Sequence, residues 1–390
     1  MTLRIRRDEP ADYLRAAWAI DNSDVDVVSV QHEYGIWGGP DGAFVLEFVR
    51  ALRKPVVTTL HTVPQNPSPG QRRILVELVA ASAASVVMSR AAATVLRDPY
   101  GLDERAVDVV AHGVPNLPLV EPDSVKPALG LEVRPIILSF GLIGPGKGYE
   151  SAIEAMPEVA RVEPRALYVI LGATHPELLR REGEAYRSRL ARLVEGLDLD
   201  DRVLFVDRYV TLEELGHWLE AADIFVTPYP NPDQIVSGTL SYAMSAGKAI
   251  VSTPYAYARE MLDSGVGVLV PAASPKALAE ALAGLLRDDD GRKALGRRAY
   301  ERSRSMIWPE VGVQYREIFE RVVSGRDRQL RRLAHDVAAA LPVAAGRPAA
   351  TVSLPPRVPA PPRVAAKPIT AGGTLGAARG PSPGVRAGDG

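Results

Sequence analysis

The sequence predicts an α/β protein built as two doubly wound parallel-sheet domains, one after the other. Three observations carry this. Short Val/Ile-rich runs alternate with helical patterns almost to Arg321, the signature of repeated βαβ units. A chain of 390 residues exceeds what one ordinary core supports. Between Pro115 and Pro127 the sequence PNLPLVEPDSVKP loses all periodicity, as an interdomain linker does.

In the first half, strands are expected at Val25–Gln31, Pro55–Leu60, Ser85–Met88 and Val107–Ala111, with helices such as Gly42–Leu52 and Gly70–Ser82 between them. In the second half they are expected at Pro135–Phe140, Ala166–Leu171, Arg202–Val206, Ile224–Thr227, Ala249–Ser252 and Gly267–Val270. Helices from Pro275 to Val323 close the fold, and Trp308-Pro309 opens the last one, with Pro at the tolerated first position. These boundaries divide the chain into a first domain (1–117), a second domain (118–307), a terminal helix (308–324) and a tail (325–390). From Leu341 onward ten Pro and eight Gly stand with almost no aromatic residue, a composition expected to stay disordered.

Composition narrows the function. Apolar residues make up 46% and charged residues 24%, and cysteine is absent, so no disulfide framework, thiolate metal site or cysteine nucleophile is available. No apolar run approaches the roughly 20 residues that span a bilayer, and no signal peptide opens the chain. A cytoplasmic protein is expected. The net charge of −1 conceals an asymmetry: residues 326–390 hold ten Lys/Arg against three Asp, which leaves −8 on the body before them. A body of that sign is a poor partner for nucleic acid. The basic tail is either a solvated segment or a peripheral contact for anionic lipid at the inner face of a membrane.

Several polar groups fall where strands end. The segment Ser237-Gly238-Thr239 opens a helix between two buried strands, so its unpaired amides and the helix dipole offer an anion pocket; Gly238 lets a phosphate approach the backbone. The alternative is a plain Ser N-cap. The loop GLIGPGKG, with Gly144, Gly146 and Lys147, follows one strand and opens a helix; its amides and ammonium can meet a diphosphate, though it lacks the spacing of a Walker A loop. His61 ends the strand PVVTTL at the carboxyl edge, where ligands of α/β sheets bind. The stretch HEYGIWGGP places His32, Glu33, Tyr34 and Trp37 in a glycine-rich loop at the same edge, with Tyr34 and Trp37 available to stack on a ligand. No Asp, His or Glu cluster has the spacing of a metal site.

The order PYPNP-x-Q-x7-Y-AMSAGKAIVSTP-x5-E, together with GLIGPGKG, resembles the nucleotide-sugar site of the retaining glycosyltransferases of family 4, the group 1 glycosyltransferases, over about residues 25–323. The family pattern reads P-S-x-x-E-x7-E-A-M-A-x-G-x-P-V-V, with G-R-L-x3-K-G upstream. The resemblance implies the GT-B fold, two Rossmann-like domains facing across a cleft, with the last helix crossing back onto the first. Lys147 matches the family lysine that neutralises the leaving diphosphate, while Leu142 stands where the family has Arg. Gln234 and Tyr242 occupy the two Glu positions, toward the sugar and the ribose respectively; either they keep hydrogen bonds to the donor or they are a solvated Gln and a packed Tyr. Glu260 matches the downstream acidic residue, or is a surface Glu. His61 resembles the cleft histidine, and His112 lies in the hinge segment, touching ligand or capping the hinge. Gly172 to His175 falls where the base or diphosphate lies.

The resemblance further implies transfer of a hexose, with mannose from GDP-mannose the first guess, to a carbohydrate or lipid-linked acceptor with retention and no metal or other cofactor; His32, Glu33, Tyr34, Trp37 and His112 are then the acceptor-side candidates, with Tyr34 and Trp37 stacking on the sugar or lipid. A catalytically weak nucleotide-sugar-binding subunit needing a partner chain is the alternative, given Leu142, Gln234 and Tyr242. Residues 1–22 read as at most one short strand and one helix, so the opening βα unit of such a first domain is not expected in this sequence; a misassigned start, a truncated relative or a surface supplied by another chain would account for it.

Overall fold

The computed structural model describes residues 2–131 and 133–340. The expected disorder after Leu341 lies outside the described residues. The first lobe runs α1 (Pro10–Asp21), β1 (Val28–His32), α2 (Phe44–Ala51), β2 (Val56–Leu60), α3 (Pro69–Ala81), β3 (Ala84–Val87), α4 (Arg90–Arg97) and β4 (Asp108–Val109). Its four strands are parallel in the order β1-β2-β3-β4. Residues 2–9 form no strand, and β1 is a sheet edge.

The second lobe runs β5 (Ile136–Phe140), α5 (Tyr149–Val162), β6 (Leu167–Leu171), α6 (Pro176–Glu182), α7 (Ala185–Gly196), β7 (Val203–Val206), α8 (Leu212–Ala221), β8 (Ile224–Thr227), α9 (Gly238–Ser245), β9 (Ala249–Ser252), α10 (Ala256–Leu262), β10 (Val268–Leu269), α11 (Pro275–Arg287) and α12 (Asp289–Ser303). Its parallel sheet has the order β10-β9-β8-β5-β6-β7. The chain builds outward from β5 through β6 and β7, then returns to the other side of β5 for β8. Between the carboxyl ends of β5 and β8 lies a topological switch point, the crevice where open α/β sheets bind ligands.

Strands such as β6, and β8 up to its closing Thr227, are continuous apolar runs buried on both faces, as helix-covered parallel strands must be. In the second lobe two apolar clusters fill the two faces of the sheet. In the first lobe one face packs on α1 to α4. The other face of the first sheet is covered by α13 (Trp308–Ala340), whose Val311, Ile318 and Val322 pack on Val57, Val86 and Val110. Tyr315 Oη lies 3.0 Å from Thr59 Oγ1, and Arg321 pairs with Asp108. The crossing helix is therefore present and runs on to Ala340 rather than stopping at 324, through a stretch rich in good helix formers.

The chain passes between the lobes twice at one place. Val114 N–H donates to Met306 O at 2.9 Å, and Trp308 N–H donates to Val114 O at 3.0 Å. The expected linker is less free than its composition suggests: buried Lys126 reaches Asp223 at 2.8 Å and Asp123 at 2.5 Å, anchoring its second half.

Candidate functional site

A cavity of about 670 Å³ opens at the switch point of the second sheet. Its walls are the loop after β5 (Gly144, Gly146, Lys147), His175 after β6, and Asn231, Gln234 and Thr239 between β8 and α9. The local sequence explains the convergence. Gly148 caps α5 in the left-handed region (φ 67°), and a Cβ there would lie 2.0 Å from Pro228 O, so only Gly lets this loop close on the loop after β8.

Lys147 Nζ lies 4.4 Å from the centroid of the Tyr229 ring. The Tyr229 hydroxyl sits 2.7 Å from Thr239 Oγ1, which in turn lies 3.1 Å from Ser237 Oγ. The cation is thus tied by one aromatic ring to the first turn of α9. Ser237 is buried, and its Oγ caps α9 by accepting from Leu240 N–H at 3.3 Å. Lys147 has no carboxylate within ion-pair distance among the described residues, and faces a cavity that also receives the positive end of a helix. That pairing suits an anionic ligand.

His112, from the first lobe, rests on the same helix end: a Cβ at Gly238 would lie 3.0 Å from His112 Nε2. Its Nδ1 lies 2.9 Å from Gly113 O, and burial pushes its pKa down, favouring the neutral ring. His175 caps α6, its Nδ1 accepting from Glu177 N–H at 3.3 Å. Gln234 Nε2 donates to Val236 O at 3.0 Å, so part of its hydrogen-bonding capacity is spent inside its own loop. Tyr242 packs half-buried between Phe140 and His112, each ring centroid 6.3 Å away. Gly172 stands behind the wall, where a Cβ would lie 2.1 Å from Gly141 O; it holds the turns after β5 and β6 against each other.

A second cavity, of about 440 Å³, lies between the lobes. His61 to Asn66 line one side and Asn231 to Val236 the other. The two cavities share Asn231 and Gln234. His61 Nε2 lies 2.7 Å from Gln31 Oε1, and burial pushes its pKa down against the opposing pull of the Glu33 carboxylate. His61, Lys147, Gln234, Thr239 and His175 are therefore brought around connected space.

The expected acceptor loop is different. His32 is the last residue of β1 and faces inward, wholly buried, with neither ring nitrogen bonded and its ring 4.8 Å from that of Tyr34. Trp37 packs on Tyr13 and Phe48 in the first-lobe core, and Tyr34 donates to Gln71 O at 3.1 Å. Glu33 Oε2 accepts from Thr62 at 2.5 Å. The register of β1 turns His32 into the core; beyond the strand Tyr34 and Trp37 are half-buried and held against Gln71, Tyr13 and Phe48, while Ile36 between them is exposed. Glu260 also lies elsewhere than the donor cavity: its carboxylate meets the first lobe at α4. Tyr229, Asn231 and Arg181 line or brace the cavity without a sequence signal of their own; Tyr229 and Asn231 stood inside the quoted PYPNP run, and Arg181 had none.

Among the described residues no three His, Asp or Glu side chains gather to hold a metal ion, and no helix is long and apolar enough to cross a membrane.

Glycosyl transferases group 1 match residues 123–302, and Glycosyltransferase Family 4 matches residues 2–116. A D-inositol 3-phosphate glycosyltransferase of Xylanimonas cellulosilytica is 30% identical over 296 residues, covering 70% of this chain and 67% of the relative. A phosphatidyl-myo-inositol mannosyltransferase of Mycolicibacterium smegmatis is 27% identical over 179 residues, 46% of this chain and 42% of that one. Among solved structures, sucrose-phosphate synthase from Thermosynechococcus elongatus aligns with a TM-score of 0.68 at 20% identity, covering 81% of this chain and 78% of that one. Anabaena HepE, solved with UDP, aligns with a TM-score of 0.66 at 18% identity, covering 80% and 82%. The fold, the two family matches and the 30% identical relative agree: the chain belongs to the group 1 (family 4) glycosyltransferases of the GT-B fold, enzymes that transfer a sugar from a nucleotide-sugar donor.

Proposed function

We propose that this chain transfers a hexose, mannose from GDP-mannose in the first instance, to an acceptor hydroxyl on a carbohydrate or lipid-linked molecule, with retention and without a metal ion. The observation that carries the reading is Lys147 held over Tyr229 beside the first turn of α9, around one cavity at the switch point. In this reading the Lys147 ammonium and the amides of α9 stabilise the charge that builds on the departing diphosphate. They do the work that a divalent cation does in other nucleotide-sugar enzymes. His61 meets the sugar from the first-lobe wall, and closure of the two lobes over the donor would keep out water that would hydrolyse it. The mannosyltransferase relative supports mannose, whereas the fold neighbour solved with UDP keeps uridine among the bases to be tried.

Thermal denaturation with GDP, UDP, ADP and GDP-mannose tests the site, on the wild type and on Lys147→Ala. A ligand at a hundred times its dissociation constant stabilises the folded state by about 2.7 kcal/mol. We expect a shift with one base that is lost in Lys147→Ala. No shift with any nucleotide overturns the donor site. The anomeric configuration of the product, read by NMR, tests retention.

One feature favours a second reading, a catalytically weak binding subunit that works with a partner chain. Positions 142, 234 and 242 hold Leu, Gln and Tyr, so the cavity lacks the Arg and both carboxylates of the family pattern. Nucleotide binding with no donor turnover, restored by Gln234→Glu, would decide for it.

A further inference from the structure

Glu260 lies on α10 of the second lobe, yet both of its carboxylate oxygens are engaged by the first lobe. Arg90 N–H donates to Oε1 at 3.0 Å, and Ala91 N–H donates to Oε2 at 2.9 Å. These amides open α4 and have no partner within the helix. They also stand at the positive end of its dipole, where a carboxylate is favoured. The preceding residue, Ser89, accepts from Ala92 N–H at 3.0 Å and donates its own hydroxyl proton to Ile235 O at 2.7 Å. Ile235 is buried in the first-lobe core with Ala256 against it, although both belong to the second lobe by sequence. Arg302 of α12 donates to Glu260 O at 2.8 Å, tying this end of α10 to its own lobe. One helix end of the first lobe thus grips a carboxylate and a carbonyl of the second. The residue next to that carbonyl's owner is Gln234, which lines both cavities.

We propose that Glu260 is a positioning residue, a latch that sets how closely the Lys147 wall and the His61 wall approach each other. The two lobes are also joined by the Ser89–Ile235 bond and the burial of Ile235, by the paired crossings at Val114 and Ile307 and by α13, so removing the Glu260 carboxylate loosens their orientation without detaching them. The effect on catalysis follows from where the groups sit. Lys147, Tyr229 and Thr239 all belong to the second lobe and keep their arrangement when the lobes part. His61 belongs to the first and moves away. Nucleoside diphosphate affinity is then preserved, while the turnover that needs both walls is lost. This consequence for turnover rests on the nucleotide-sugar reading of the cavity; the latch itself does not.

The test uses the full chain with Glu260→Ala and Glu260→Gln. Small-angle scattering reads the lobe orientation without any ligand, and hydrogen exchange at the Arg90 and Ala91 amides reads the contact itself. Glu260→Ala is expected to increase the radius of gyration, to speed exchange at both amides, and to lower kcat on the order of 10²-fold, as a misplacement of about 1 Å between reacting groups does. Affinity for GDP or UDP stays unchanged. Glu260→Gln keeps one acceptor oxygen and falls between the wild type and Glu260→Ala. Scattering and exchange identical to the wild type overturn the proposal. So does a parallel loss of nucleotide affinity and kcat, which would return Glu260 to the donor site. If the wild type binds no nucleotide, the donor reading fails by itself, and scattering with exchange alone decides the latch.

Discussion

At the scale of single residues, His32 shows how an inward register overrides a local appearance. Its neighbours Gly35, Gly38 and Gly39 suggest an exposed loop, but His32 is the fifth residue of an alternating strand whose odd positions face the core. Burial, reinforced by the nearby His61, pushes its pKa from 6.5 down to about 4. Above pH 6.5 the ring is neutral in both states and contributes no pH dependence. Between 6.5 and 4 the unfolded chain binds a proton that the folded chain refuses, so stability falls as the pH drops through that window, by roughly 3 kcal/mol at its lower end. His32→Leu removes the titration and two buried nitrogens that have no partner. Urea midpoints at pH 7, 5.5 and 4.5 are expected to show a shallower acid limb in the variant and no loss of stability at pH 7. An acid limb as steep as the wild type's would assign the dependence to His61 and His112, whose pKa values burial lowers in the same direction.

At the scale of elements, much of the second lobe was legible, because its strands are continuous apolar runs between polar residues. Ile224–Thr227 and Ala249–Ser252 form with the limits the sequence predicts. Other strands are shorter than their apolar runs: β1 starts at Val28 because its ladder starts opposite Val56, and β4 keeps two residues opposite Val86 and Val87. Strand ends depend on a neighbour far along the chain, which no window of sequence contains. The loops that build the cavity behave likewise, and their glycines divide by what surrounds them. Gly172 has φ 141° and a backbone oxygen 2.1 Å from where a Cβ would go. Gly172→Ala is expected to cost roughly 1–3 kcal/mol in backbone strain. Because the turns after β5 and β6 must then separate, the thermal shift given by nucleotide should shrink as well. Gly284 is the contrasting case, exposed within α11 and with nothing within 4 Å. Gly284→Ala is expected to raise stability by about 0.5–1 kcal/mol and to leave nucleotide binding alone. A melt of each variant with and without nucleotide separates the two kinds of glycine.

At the scale of the whole molecule, the site exists only because distant segments are brought together. The Ser89 and Glu260 contacts join residues 146 and 170 positions apart, and Tyr315 meets Thr59 across 256. These couplings explain why the placement of Glu260 could not be read from its surroundings in sequence, while that of Lys147, seven residues beyond its own strand, could be approached. They also make a statement about cooperativity. The open face of the first sheet is filled by Val311, Ile318 and Val322 of α13, so this lobe borrows part of its core from the end of the chain, whereas the second lobe packs both sheet faces with its own helices. Placing a carboxylate at position 318 puts an unpaired charge among Val57, Val86 and Val110, a cost of several kcal/mol that falls on the first lobe alone. In Ile318→Asp, calorimetry is therefore expected to resolve an early transition for the first lobe and a later one for the second. Nucleotide should shift only the later transition, because Lys147, Tyr229 and the first turn of α9 stay in the lobe that remains folded. A single transition lowered as a whole would mean that the lobes fold as one cooperative unit, with α13 as part of their shared core.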